Sequence, residues 1–154
     1  MPSTAGNDEI SALVRDFAET PGHLIRRAYQ AHTQLWADVV PVDITGSQYI
    51  LLCALAVHGD LDQVSVGRLT SLDRSSIAEL ASRMARRGLI QRSRDERDGR
   101  KRVLRITEEG SRLVAEAEPY VRLLSQRLLA QFDDAERAQF LAYLRRVGDQ
   151  ANRG

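Results

Sequence analysis

The stretch Leu69-Thr70-Ser71-Leu72-Asp73-Arg74-Ser75-Ser76-Ile77, running on through Arg86-Arg87-Gly88-Leu89-Ile90-Gln91-Arg92, Asp98-Gly99-Arg100 and Leu104-Arg105-Ile106-Thr107, decides the reading of this chain. Its hydrophobic period changes half-way. Between Ser75 and Arg87, Ile77, Leu80, Ala81 and Met84 recur at i, i+3, i+4 and i+7, the inward stripe of an amphipathic helix. Asp73-Arg74-Ser75-Ser76 supplies a turn and a helix start, and Gly88 supplies the stop. Leu89-Ile90-Gln91-Arg92 and Val103-Leu104-Arg105-Ile106 then read as two strands flanking the charged loop Asp95 to Lys101, with Gly99 permitting a turn.

The face of the helix opposite its apolar stripe carries Arg74 at the start, then Ser75, Ser76, Glu79, Arg83 and Arg86. Short polar side chains at a helix start allow close approach to phosphates and base edges, and arginines farther along supply bidentate donors. A merely solvated helix would look the same. The loop separates the two readings, because Arg97, Arg100, Lys101 and Arg102 crowd four cations onto a tight exposed hairpin. Such a tip can lie along a duplex and insert an arginine into the minor groove, where negative potential is focused. Asp98 is placed to orient a neighbouring arginine rather than to perform chemistry.

Charge follows the same division. The whole chain carries only +1, yet residues 74–105 hold eleven basic and four acidic side chains, which makes the segment +7 and the remainder −6. That asymmetry is the electrostatic footprint of a protein that meets a polyanion.

Outward from this segment the chain reads as helices. Residues 1–9 are small and polar, and Ile10, Leu13, Val14 and Phe17 mark a short amphipathic turn or two. Thr20-Pro21 is an N-cap and first helical residue for a helix running to about Val40, stopped by Pro41. Gly46 or Ser47 opens a second helix through about Val57, and Ser65 is the expected N-cap of a short third one from Val66 to about Leu72. After the strands, Thr107 caps a long fifth helix with Leu113, Tyr120, Val121, Leu124 and Leu128 along one stripe. Asp133 and Glu136 form a capping-box start for the last helix, whose apolar face is Phe140, Leu141, Leu144 and Val147. The expected fold is mainly α with a small β-wing: a winged helix-turn-helix over 61–106, a helical dimerisation lobe from 20–60 and 107–154, and an N-terminal extension over 1–19.

Composition adds bounds. With 154 residues, 43% hydrophobic and 28% charged, the chain suits one soluble globular unit. No stretch approaches a membrane span, and the first residues lack the charged-then-apolar order of a signal peptide, so no membrane partner and a cytoplasmic location are expected. The single cysteine, Cys53, lies in the apolar run Tyr49-Ile50-Leu51-Leu52-Cys53-Ala54-Leu55 and reads as a small buried hydrophobe. No Ser/His/Asp order, metal-ligand cluster or glycine-rich phosphate loop is present, so neither an enzyme nor a cofactor nor a metal is expected.

Taken in order, a helix ending in basic residues and Gly88-Leu89-Ile90, then Arg92, then Asp98-Gly99-Arg100, then Leu104-Arg105-Ile106-Thr107-Glu108-Glu109-Gly110 resembles the MarR family of bacterial regulators. The pattern spans about 40 residues, and the helical lobes extend it to nearly the whole chain. The resemblance implies a homodimer built by interleaved first and last helices, with Arg100 as wing-tip arginine and Asp98 as the acid that fixes it. Gly99 departs from the basic residue that many members carry there.

The first long helix raises a second question. At about 100° per residue, Arg26, Tyr29, His32, Thr33 and Trp36 fall within an arc of about 120°. An arginine, a histidine and two aromatics on one stripe could hold a carboxylate and a ring hydroxyl against an apolar wall. Helix geometry equally allows Arg26 and His32 to pair with acids of a partner subunit while Trp36 joins the core. The stretch Pro21 to His32 resembles family members that respond to aromatic carboxylates such as protocatechuate or hydroxycinnamates. In those, an arginine and a histidine six residues apart contact the ligand, which falls on Arg26 and His32, with His23 and Trp36 as further candidates.

The expected partners are therefore double-stranded DNA with a pseudo-palindromic operator, a second copy of the chain, and a small aromatic carboxylate. Two alternatives stay open: a winged-helix protein-interaction module, and a regulator without a small-molecule ligand that senses redox state through Cys53.

Overall fold

The computed structural model describes residue 10, residues 17–95 and residues 98–152. From Pro21 onward, the described residues form six helices and a three-stranded sheet in the order α1 (Pro21–Val39), α2 (Gly46–His58), β1 (Leu61–Asp62), α3 (Gln63–Thr70), α4 (Arg74–Arg86), β2 (Ile90–Arg94), β3 (Arg102–Ile106), α5 (Glu108–Leu128) and α6 (Asp134–Gly148). A short 3-10 turn, Asp149–Asn152, ends the described chain. The fold is mainly helical with a small sheet, as the periodicity predicts.

Local chemistry accounts for most element boundaries. Thr45 and Gln48 form a capping box at α2, Thr107 caps α5 by accepting from the Gly110 N–H, and Asp133 with Glu136 closes a capping box at α6. Thr20 precedes α1, but its hydroxyl donates back to the Phe17 carbonyl at 2.9 Å instead of capping the helix. The third helix corrects the sequence reading: its N-cap is Asp62, which accepts from the Ser65 N–H at 2.7 Å, so the helix starts at Gln63 and not after Ser65. The reason is β1. Leu61 and Asp62 pair with Leu104 and Val103, so extended backbone runs up to Asp62 and the helix must begin at the next residue. Two residues without alternation give no strand signal in a sequence, and β1 exists only because β3 lies beside it.

The sheet is antiparallel with β3 central, in the order β1-β3-β2. Ile90 faces Ile106 and Arg94 faces Arg102, so the hairpin reaches nearer its tip than the strands read from sequence, by two residues on β2 and one on β3. The core is one cluster. Leu51, Leu52 and Leu55 of α2, Val66 of α3, Ile77, Ala81 and Met84 of α4, Ile90 of β2 and Leu124 of α5 are all buried in it. The stripe expected on α4 faces inward, with Ile77, Leu80, Ala81 and Met84 at most 5% exposed. Gly110 lets α5 start directly against the exit of α4, since a Cβ there would stand 2.2 Å from the Leu89 carbonyl oxygen. That carbonyl also accepts from the Thr107 N–H at 3.1 Å, and the Thr107 hydroxyl donates to the Gly88 carbonyl at 2.7 Å.

One helix stays uncovered. α6 buries no residue, and its apolar face leaves Leu141, Leu144 and Val147 exposed at 39%, 44% and 52%. Phe140 is half-buried because it stacks on Phe132 at 5.6 Å. Leu24, Ile25 and Tyr29 at the start of α1 are exposed as well. None of the described helices is long and apolar enough to cross a membrane.

Candidate nucleic-acid interface and effector site

The helix start at Asp73 orders the outward face of α4. Arg74, Ser75, Glu79, Arg83 and Arg86 are exposed there, and Ser76 is half-buried. Two of the cations are held along the helix: Arg83 stands 3.4 Å from Glu79, and Arg86 donates to the Ser82 hydroxyl at 3.4 Å. Arg92 on β2 donates to the Ala78 carbonyl at 3.3 Å and so ties the hairpin to α4. A cleft of about 500 Å³ joins these parts, lined by Arg68 of α3, Arg74 of α4 and Arg102 of β3 with Val64, Leu72 and Ile77. Sequence reasoning passed over Arg68, which lies outside the basic segment and on a helix too short to show a face.

The hairpin turn is held by backbone and carboxylates. The Asp95 N–H donates to the Lys101 carbonyl and the Lys101 N–H to the Asp98 carbonyl, each at 2.9 Å. Asp98 accepts from the Arg100 backbone N–H at 3.1 Å, so it fixes the position of Arg100 through the main chain rather than through the guanidinium. Gly99 has ordinary negative φ, and the turn does not depend on its freedom. Arg100, Lys101 and Arg102 are exposed, and none of them forms a salt bridge among the described residues. Arg97, the remaining wing residue expected to meet DNA, lies outside the described residues.

Two arginines of the basic segment turn away from this face. Arg105 makes a two-pronged pair with Asp60 at 2.8 and 2.5 Å, and the pair holds the Asp60 carboxyl below the usual carboxylate range. Arg87, at the C-terminal cap of α4, donates Nη2 to the Asp43 carbonyl at 2.6 Å and stands 3.2 Å from the Asp43 carboxylate. Its Nη1 reaches Gln48 Oε1 at 3.5 Å, the same oxygen that accepts from the Thr45 N–H at 3.0 Å. The last turn of α4 is thus clamped to the loop between α1 and α2.

That loop is gripped from its other side by the aromatic stripe of α1. The Trp36 indole donates to the Ile44 carbonyl at 2.8 Å. Trp36 lies 6.1 Å from the His32 ring and 5.8 Å from the Tyr49 ring of α2, while Tyr29 stacks over His32 at 6.3 Å. Gly46 opens space beside them, since a Cβ there would meet Trp36 at 3.6 Å and His32 at 3.8 Å. The structure therefore brings together His32 and Trp36 of the four residues expected at a ligand site. Arg26 sits on exposed helix surface, and His23 packs on Phe17 at 4.7 Å instead.

Tyr49 is a wall of this site that sequence reasoning missed. It was visible only as the first residue of an apolar run, and nothing in that run says that α2 turns it toward Trp36. Burial, chiefly, and the neighbouring Cys53 push the Tyr49 phenol up to about 12, so it stays protonated. Burial likewise raises the Cys53 thiol, against the opposing hydrogen bond from Tyr49, which disfavours the reactive thiolate a redox sensor needs.

Comparison with known proteins agrees with this architecture. The sequence model of the MarR family matches residues 42–101. The HTH-type transcriptional repressor NicR of Pseudomonas putida is 33% identical over 135 residues, covering 87% of this chain and 85% of the relative. The chain belongs to the MarR family. Its members' named relatives here are transcriptional regulators, not enzymes. Among solved structures, the PcaV transcriptional regulator of Streptomyces coelicolor, in complex with its natural ligand, is 44% identical with a TM-score of 0.83 over 88% of this chain and 96% of that one. Bordetella bronchiseptica BpsR, a regulator whose DNA binding is governed by 6-hydroxynicotinic acid, is 33% identical with a TM-score of 0.83 over 86% and 96%. This chain is thus a MarR-type transcriptional regulator with a winged-helix fold.

Proposed function

We propose that the chain works as a homodimeric repressor that binds a pseudo-palindromic operator and leaves it when a small aromatic carboxylate binds. The observation that carries this reading is the shared cleft, which sets Arg74 at the start of α4 and Arg102 at the base of the wing around one hollow together with Arg68. Helix α4 would enter the major groove with Arg74, Ser75, Ser76, Glu79, Arg83 and Arg86, and the wing would follow the backbone with Arg97, Lys101 and Arg102 while Arg100 probes the minor groove. Residues 61–106 are the DNA-reading part, and 20–60 with 107–154 the dimerisation lobe. The uncovered faces of α6 and of the start of α1 support pairing with a second copy, since contiguous exposed apolar surface marks an interface.

The effector site is the stripe of His32 and Trp36 with Tyr49, with Arg26 supplying the carboxylate's counter-ion and His23 lying farther along the helix. A ring stacked on Trp36 would bear on the loop that Trp36 holds at Ile44 and that Arg87 holds at Asp43. The dimer must space its two α4 helices roughly 34 Å apart, one turn of DNA. A ligand that favours another spacing releases DNA by shifting the population, and its strength is its differential affinity for the two states.

The test is fluorescence anisotropy on the DNA upstream of the protein's own gene, repeated with a panel of aromatic acids. Specific binding lost on addition of one acid is the expected result, and Arg26→Ala should keep the binding but lose the release. Absence of specific binding would leave the protein-interaction module as the better reading.

A further inference from the structure

Asp73 does more at the start of α4 than end a turn. Its carboxylate accepts from the Ser76 backbone N–H at 2.9 Å, from the Ser75 hydroxyl at 2.6 Å and from the Ser76 hydroxyl at 2.5 Å. The two hydroxyls first, and the backbone N–H after them, hold the carboxyl well below the usual carboxylate range, so it is ionised at any physiological pH. An ionised carboxylate has no proton to give, and both serines must therefore be the donors. A serine hydroxyl has one proton and two lone pairs. With the proton committed to Asp73, each serine keeps only lone pairs for an outside partner.

We propose that Asp73 sets the hydrogen-bond polarity of the reading helix, making Ser75 and Ser76 acceptors that recognise the amino group of adenine or cytosine and do not hold phosphates. The inference rests on the reading of α4 as the helix that enters the major groove. In that groove guanine N7 and O6 and thymine O4 only accept, whereas adenine N6 and cytosine N4 donate. Phosphate oxygens also only accept. Acceptor serines thus distinguish adenine or cytosine from guanine or thymine on the contacted strand. To bond a phosphate instead, a serine would have to give up a charge-assisted bond and leave the carboxylate short of a partner beside another anion. Arg74, exposed and next in the chain, is the residue that meets the phosphate.

Asp73→Asn tests this without removing the cap, because asparagine caps helices as well as aspartate. Its amide oxygen can still accept from the Ser76 N–H, but its NH₂ donates. One serine hydroxyl then accepts from the amide and has its own proton to offer. Duplexes are selected from a randomised pool by the intact dimer at one fixed salt concentration, for the wild type, Asp73→Asn, Ser75→Ala and Ser76→Ala. The wild type should prefer adenine or cytosine at one or more positions of each half-site by about fivefold, the worth of one hydrogen bond. At least one serine variant should flatten that preference, and Asp73→Asn should move it toward guanine or thymine. Thermal melting of each variant within a few degrees of the wild type confirms that the comparison is between folded proteins. Identical selections by Asp73→Asn and the wild type would overturn the proposal. So would serine variants that lose affinity evenly for all sequences, the mark of phosphate contacts, which carry no sequence information. A wild type that enriches no sequence would overturn it together with the DNA-reading assignment of α4, a result distinct from either of the others.

Discussion

Replacing Arg87 by alanine cuts the clamp between α4 and the loop that Trp36 holds, and the structure says how much should change. The ion pair with Asp43 contributes little, about 0–1 kcal/mol, because the Asp43 side chain is 99% exposed and water screens it. The bond from Nη2 to the Asp43 carbonyl at 2.6 Å is charge-assisted, and on a side chain 35% exposed it belongs near the lower end of about 1.5–3 kcal/mol. The contact with Gln48 at 3.5 Å is at the outer limit of a hydrogen bond and adds little. A total loss of about 2 kcal/mol corresponds to a fall in Tm of roughly 4–8 °C for a chain of this size. DNA affinity without effector should change by no more than about threefold, since the outward face of α4 is untouched. Release should change far more. Effector coupling of this kind is worth about 1–3 kcal/mol, a factor of 5–150 in DNA affinity. If Arg87 transmits it, that factor falls below about threefold in Arg87→Ala, while the acid still binds the free protein. Arg87→Lys keeps the charge without the planar fork and should restore only part of the coupling. The assay is operator anisotropy with and without saturating acid, paired with calorimetry of the acid alone. An Arg87→Ala protein that binds the acid and releases DNA by the full wild-type factor would refute the coupling route.

Other consequences are simpler to measure. Arg100→Ala should weaken operator binding and lower the slope of log affinity against log salt by about 0.9, one phosphate-region contact; an unchanged slope would remove Arg100 from the interface. Gly110→Ala sets a Cβ 2.2 Å from the Leu89 carbonyl oxygen, so α5 must shift and stability should fall by about 1–3 kcal/mol in a denaturant titration. Leu144→Arg puts a charge on the uncovered face of α6 and should give a folded monomer by light scattering, with operator affinity lost along with the dimer. A Leu144→Arg protein that stays dimeric would move the interface elsewhere.

What could be read from the order of residues is what short-range chemistry decides. The inward stripe of α4, the capping box of Asp133 and Glu136 and the hairpin after Gly88 each depend on side chains within one or two turns of one another, so spacing alone located them. The basic character of residues 74–105 was equally plain. The roles within it were not, because eleven cations look alike until something faces them. Arg87 meets Asp43 across 44 residues and Arg105 meets Asp60 across 45, and these pairings withdraw two arginines from the outward face. The aromatic stripe of α1 divides in the same way. Helical period put Arg26, His32 and Trp36 on one side of α1, but Tyr49 joined them only when α2 packed alongside, and the Ile44 carbonyl became the partner of Trp36 only when the loop closed over it. Helix α4 and its wing were therefore legible in local pattern, whereas the joint linking them to the aromatic site is a tertiary product. Backbone carbonyls carry no sequence signature, and long side chains choose among distant partners by where the packed core leaves them.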